Sequence, residues 1–211
     1  MKPVGLLGGT FDPVHIGHLE LAHQAMEYCD LSKVLFVPSF FPPHKPFESI
    51  TPFTQRVEML NIALTGEKHF FISEIEAFMP RPCYTIDTLS HLQHHGKEKE
   101  DYFFIIGIDA FIEIPTWKNY KKVLECVNFI VSSRSDYNHN LFEKSVKEFG
   151  YLQNNSYWYN SVTQRSIYFL QEKIADVSSS EIRKRVKNSE QIEDLVQEGV
   201  RDYITSNNLY L

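Results

Sequence analysis

Four short apolar runs stop abruptly at glycine, proline or serine: Val4 to Leu7 before Gly8, Val34 to Val37 before Pro38, Phe103 to Ile106 before Gly107, and Phe129 to Val131 before Ser132. Unbroken runs of this length suit strands buried on both faces, the condition of a parallel sheet covered by helices. Between them the apolar spacing becomes helical, through Ile16, Leu19, Ala22 and Met26, and then through Phe53, Val57, Leu60 and Leu64. A further helix can start near Tyr84, and Ile167 to Leu170 reads as a late strand. Strand alternating with helix predicts an α/β fold: a Rossmann-like open parallel sheet with helices on both faces. Ser178 to Ser180 form an N-cap region for a helix carrying Ile182 and Val186. The helical period then resumes through Ile192, Leu195, Val196, Val200, Tyr203 and Ile204, so the part from about residue 178 is predicted to be helical. The runs "HHGKEKED" (94–101) and "NNSYWYNS" (154–161) read as loops.

No internal repeat or composition shift divides the 211 residues, so residues 1–211 are predicted to form a single domain. A net charge of -6, from 21 basic against 27 acidic residues, supplies no global basic field, which argues against a nucleic-acid partner. A phosphate-bearing ligand must then be held by local groups. Cys29, Cys83 and Cys126 lack the paired spacing of a zinc site and read as reduced thiols of a cytoplasmic protein. The opening "MKPVGLLGGTFDPVH" fits neither a signal peptide nor a membrane span, so no membrane association is predicted. Self-association into a homo-oligomer is left open.

The chemistry is concentrated in "GGTFDPVHIGHL", residues 8 to 19. Gly8 and Gly9 follow directly on the first strand, where missing side chains let a phosphate approach main-chain N–H groups. Open α/β sheets bind ligands at this carboxyl edge, near the point where strand order reverses. The stretch is neither the dinucleotide fingerprint nor a P-loop. A helix starting near Ile16 turns its N-terminal amides and positive dipole end toward the same loop. His15 and His18, three residues apart at that helix start, can converge on one object, either a metal ion or a phosphate. A metal cage wants further ligands and a general base of the H-E-x-x-H kind, whereas Ile16 and Gly17 lie between these histidines, so phosphate is favoured. An imidazole there can donate to oxygens on which charge develops, an effect of roughly 3 kcal/mol per well-placed donor.

This stretch resembles the H-x-G-H signature of the adenylyl- and cytidylyl-transferring superfamily, and in particular the bacterial nicotinate-mononucleotide adenylyltransferases. Segments in the same order extend the resemblance over nearly the whole chain: "VPSFFPPHKP" (37–46), "CYTIDTL" (83–89), "IIGIDAFIEIPTW" (105–117), "FIVSSR" (129–134) and "VSSSEIRKRV" (177–186). The resemblance implies a nucleotidyltransferase fold and a reaction joining ATP and nicotinate mononucleotide, with release of pyrophosphate, in NAD biosynthesis. It implies His15, His18 and Arg183 as catalytic residues. Gly8, Gly9, Thr10, Phe11, Gly107, Asp109, Ser179 and Ser180 would complete the ATP site. Thr10 also suits a turn hydroxyl and Asp109 a helix cap. Lys45, Tyr84, Thr85, Trp117 and Arg134 would bind nicotinate mononucleotide, the Trp117 indole stacking on the pyridine ring. Where the family has Ile-Ser-Ser-Thr, serine, and Pro-Gly, this chain has Val177 with Ser178 to Ser180, Cys83, and Ser135-Asp136. Mg²⁺ is expected to arrive with ATP, with no metal ligands from the protein. Rivals are the same fold with pantetheine phosphate or a cytidylyl acceptor chemistry, and a non-catalytic nucleotide-binding module.

Overall fold

The computed structural model of the chain describes residues 3–42, 50–95, 100–133, 139–171 and 174–211. The apolar runs are strands: β1 (Pro3–Gly9), β2 (Lys33–Pro38), β4 (Asp101–Gly107), β5 (Asn128–Ser132) and β8 (Arg165–Leu170), with a short β3 (Phe70–Ile72) between β2 and β4 in the chain. Phe129, Ile130 and Val131 are all completely buried, as strands covered on both faces require. Among the described residues, these strands with β6 (Leu152–Asn154) and β7 (Tyr157–Asn160) form one eight-stranded sheet in the order β3-β2-β1-β4-β5-β8-β7-β6. Pairing is parallel from β3 through β8. The two remaining strands, β6 and β7, add antiparallel.

Successive side chains of a strand face opposite sides, and the two cores follow that alternation. Leu7, Phe103, Ile105 and Ile130 pack with α1 (Ile16–Tyr28), α2 (Phe53–Ala63), α7 (Ser179–Lys187) and α8 (Glu198–Ser206). Val4, Leu6, Phe129 and Val131 pack on the other side with α3 (Thr85–His95), α4 (Ile108–Ile112), α5 (Tyr120–Cys126) and α6 (His139–Glu148). Burying each such Leu, Ile or Phe contributes about 1.5–3 kcal/mol. From β1 the chain proceeds outward to β2 and β3, and from β4 in the other direction to β5, so strand order reverses between β1 and β4. Gly9 and Gly107 close those two strands side by side at the carboxyl edge.

Two readings of the sequence are corrected. "NNSYWYNS" is not a loop: burial alternates along Tyr157, Trp158, Tyr159 and Asn160, Trp158 packing across Phe142 with ring centroids 5.0 Å apart. The expected parallel sheet accordingly carries an antiparallel edge. The helix of the last segment starts only at Glu198. Ile192 and Val196 are buried from a turn, because Gln197 is extended and Leu195 turns its carbonyl to the Ile16 N–H, 3.1 Å away. In "HHGKEKED", residues 96–99 lie outside the described residues, but its end is pinned: Glu100 accepts from Lys33 Nζ at 2.6 Å and from the Tyr102 hydroxyl at 2.7 Å.

Candidate active site

The β1–α1 connection is built to hold two imidazoles together. His15, extended at φ -146°, is the N-cap of α1, and its main-chain N–H donates to His18 Nδ1 at 3.2 Å. Because Nδ1 accepts, the neutral His18 ring carries its proton on Nε2. The two rings stack with centroids 3.6 Å apart and planes 28° from parallel, and Phe11 meets His18 edge-on at 4.9 Å with planes 65° apart. His15 is 5% exposed and His18 half-buried. One expectation about this helix is not met: the Ile16 amide does not face an anion but donates to the Leu195 carbonyl.

Both histidines line a cleft of about 360 Å³ at the carboxyl ends of β1 and β4. Gly8 and Gly9 line it from β1, Thr10 from the loop that follows, and Gly107 from β4. Thr85, the first residue of α3, and Trp117, which follows a 3₁₀ turn at Ile114–Thr116, line it from the other core. Trp117 is half-buried and stands nearly perpendicular to Phe104, centroids 6.1 Å apart. A plain core tryptophan would be covered on both faces. The cleft is thus lined by glycines and imidazoles from the β1–α1 connection and by a threonine and a tryptophan from the other core.

Other predicted residues stand differently. Arg183 lies at the back of the loop rather than lining the cleft: Nη1 donates to the Asp12 carbonyl at 2.6 Å and Nη2 to Ser180 Oγ at 3.3 Å. Ser178 caps α7 by accepting from the Glu181 N–H, and the Ser179 hydroxyl donates to the Pro13 carbonyl at 2.9 Å. The first turn of α7 is therefore sewn to the histidine loop, in agreement with an N-cap serine cluster. Phe11 is buried beneath the loop at φ 50°. Asp109 is exposed in the first turn of α4 and does not line the cleft. Tyr84 belongs to a neighbouring shallow groove, its ring 4.5 Å under Lys118 Nζ. Lys45 and Arg134 lie outside the described residues.

A model of cytidylyltransferase-like proteins matches residues 6–185, a span that contains both histidines, Trp117 and Arg183. The chain belongs to the cytidylyltransferase-like family. Curated relatives of this cytidylyltransferase-like chain include the probable nicotinate-nucleotide adenylyltransferase of Desulfotalea psychrophila, 39% identical over 100% of both chains, and that of Clostridium novyi, 36% identical over 100% of both. Among solved structures, the nicotinic acid mononucleotide adenylyltransferase of Plasmodium falciparum complexed with NaAD superposes with a TM-score of 0.78 at 21% identity, covering 100% of this chain and 98% of that one. That likeness speaks for the fold.

Several polar residues of this cytidylyltransferase-like site carried no role in the sequence reading. Asp12, 3% exposed, accepts from the Tyr210 hydroxyl at 2.8 Å and from the Thr51 N–H at 3.2 Å. Burial, with Asp12 next to it, pushes the Tyr210 phenol up, which keeps it a donor. Glu76 lines the cleft and is 8% exposed, accepting from the Phe40 N–H at 3.1 Å and the Thr88 hydroxyl at 3.0 Å. Burial raises its carboxyl above the ordinary value of 4.5, against the pull of those two donors. Arg56 is 1% exposed on the apolar face of α2. A charge among Phe53, Val57 and Leu60 was a readable signal of a special role; Tyr210 and Glu76 offered none.

Proposed function

We propose that the protein is a nicotinate-nucleotide adenylyltransferase: a phosphate oxygen of nicotinate mononucleotide attacks the α-phosphorus of ATP, the new O–P bond forms as the α–β bridge breaks, and pyrophosphate leaves. The observation that carries this is one cleft lined both by the stacked imidazoles with Gly8 and Gly9 and by Thr85 with Trp117. The full-length relatives bearing that name support the same reading.

Nothing in the reaction needs a nucleophile from the chain, since the acceptor phosphate is itself anionic. Catalysis is alignment and charge neutralisation. His18 Nε2–H donates to the α-phosphate oxygens, which gain negative charge in the transition state. His15 and the Gly8 to Thr10 main chain hold the triphosphate, while Arg183 supports the loop from behind through the Asp12 carbonyl. Thr85 with the first amides of α3 takes the nicotinate carboxylate, as a helix N-terminus favours, and Trp117 stacks on the pyridine ring. Lys45 and Arg134 are assigned to the acceptor phosphate on resemblance. Asp109 retains a ribose role only if a bound nucleotide reaches the rim of the cleft, and Tyr84 is assigned to packing under Lys118. Among the described residues no three His, Cys, Asp or Glu side chains gather as a metal cage. Mg²⁺ is assigned to the triphosphate with which it arrives, where it would offset charge on the departing pyrophosphate. No helix among the described residues is long and apolar enough to cross a membrane. A cytoplasmic setting agrees with the three free cysteines.

The test is pyrophosphate release from ATP, Mg²⁺ and nicotinate mononucleotide, run beside nicotinamide mononucleotide, phosphopantetheine and CTP-dependent controls. The reading expects the highest kcat/KM for the nicotinate acceptor. Release with another acceptor alone would reassign the substrate, and release with none would remove the enzyme assignment.

A further inference from the structure

Arg56 is almost completely buried, yet no step of the reaction uses it, and it does not line the cleft. Burying a guanidinium is costly unless its charge and donors are answered. Burial lowers its pKa, and the nearby Asp12 carboxylate, the first of several opposing charges, raises it again. Its donors go to main chain: Nε to the Thr51 carbonyl at 2.9 Å and Nη1 to the Thr10 carbonyl at 2.6 Å.

Those bonds set peptide planes. In a trans peptide C=O and N–H point opposite ways, so holding the Thr10 carbonyl toward α2 turns the Phe11 N–H toward the cleft side. The neighbours are held by the same device. The Gly9 carbonyl accepts from the Ser39 N–H at 2.8 Å, which reverses the Thr10 N–H; the Asp12 carbonyl accepts from Arg183, which fixes the loop without aiming a donor, because Pro13 has no N–H. Three carbonyls of one loop are thus gripped from behind. Phe11, at φ 50°, occupies a backbone region that disfavours a side chain and needs support from outside the loop. Arg56 supplies it, and the Asp12 carboxylate, itself fixed by Tyr210 and Thr51, supplies countercharge to Arg56.

We propose that Arg56 is a positioning residue that aims the peptide donors of the β1–α1 loop at the nucleotide triphosphate, with Asp12 and Tyr210 as its countercharge and brace. The inference rests on the ATP half of the adenylyltransferase reading. A guanidinium that merely fastened α2 to the loop for stability would give a different pattern on substitution.

Arg56→Lys retains the charge but lacks the fork that reaches two carbonyls. Tyr210→Phe removes only the hydroxyl that braces Asp12. For each, steady-state kinetics in both substrates are measured at a temperature where melting shows the variant folded, with Mg·ATP binding followed by calorimetry. Arg56→Lys is expected to lower kcat/KM for ATP and to weaken ATP binding by about 10- to 100-fold, in keeping with a small misplacement of aligned groups. KM for nicotinate mononucleotide should stay within about two-fold, because uniform acceptor binding is untouched. Tyr210→Phe should move the ATP parameters the same way by about 10-fold, the low end for one lost hydrogen bond to a charged group. Unchanged ATP parameters in folded Arg56→Lys would overturn the proposal, as would losses equal for both substrates. If Arg56→Lys does not fold, wild-type ATP parameters in Tyr210→Phe overturn it. A wild type that binds ATP but transfers to no acceptor, with binding lost in Arg56→Lys, would support Arg56 while refuting the acceptor reaction; a wild type that binds no ATP refutes both.

Discussion

Gly17 lies between the two histidines, and replacing it with alanine separates helix stability from alignment. A Cβ at Gly17 would stand 3.1 Å from the Ala175 carbonyl oxygen, 3.3 Å from His15 Nδ1 and 3.4 Å from His15 Cε1. The carbonyl has little room to retreat: it accepts from the Val177 N–H at 2.8 Å, and the Ala175 N–H donates to Glu20 Oε2 at 2.8 Å. The His15 ring must therefore give by a few tenths of an ångström, and it is stacked on His18 at 3.6 Å. In energy, alanine gains about 1 kcal/mol of helix propensity over glycine, while overpacking costs about 1–3 kcal/mol. The net change is at most about 2 kcal/mol, a Tm shift of at most about 8 °C for a chain of this size. In rate, misplacing an aligned group by up to 1 Å costs up to about 100-fold. Gly17→Ala is expected to fold, to melt within that interval, and to lose about 10- to 100-fold in kcat for pyrophosphate release. Full turnover in the folded variant would refute the claim that ring placement limits the chemistry.

His18→Ala should lower kcat by about three orders of magnitude with the fold intact, the scale of losing a donor to a developing oxyanion; circular dichroism and pyrophosphate release together check this. Trp117→Ala should raise KM for nicotinate mononucleotide by about 10-fold, as loss of an aromatic stack implies, with KM for ATP little changed. Glu76 has its folded pKa raised by burial above 4.5, so its contribution to stability is fully present below the unfolded pKa and is lost as pH rises through the folded value. The stability of wild type relative to Glu76→Gln, from denaturant melts, should accordingly fall as pH is raised from 4 toward neutrality; a flat difference would show that the carboxyl is not desolvated. Burial pushes the Cys29 thiol up to about 12, so alkylation at pH 8 should be much slower in folded than in unfolded protein, read by mass spectrometry.

Strands buried on both faces were legible because burial strips polar residues from both sides, leaving runs such as Phe129 to Val131 with no other sensible reading. Edge strands are exempt from that pressure. Phe70–Ile72 has one buried residue and Leu152–Asn154 none, so neither left a pattern to find. The turn at Ile192 to Val196 shows the opposite failure, apolar residues at helical spacing that are buried without forming a helix. In the site, what lies together in the chain was readable: Gly8, Gly9, Thr10, His15 and His18 line one cleft. What joins distant residues was not, since Arg56 reaches Thr10 across 46 positions and Tyr210 reaches Asp12 across 198. No local spacing encodes such pairs.

The antiparallel hairpin at the margin of the sheet offers a practical handle. Its strands are joined through Asn155, at φ 53°, and exposed Ser156, and β4, β5 and β8 intervene before β1 is reached. Among the described residues a peptide tag or small reporter grafted at that tip extends from exposed Leu152–Asn154 and Ser156, so the molecule is expected to accept a tether or fusion there with its turnover intact.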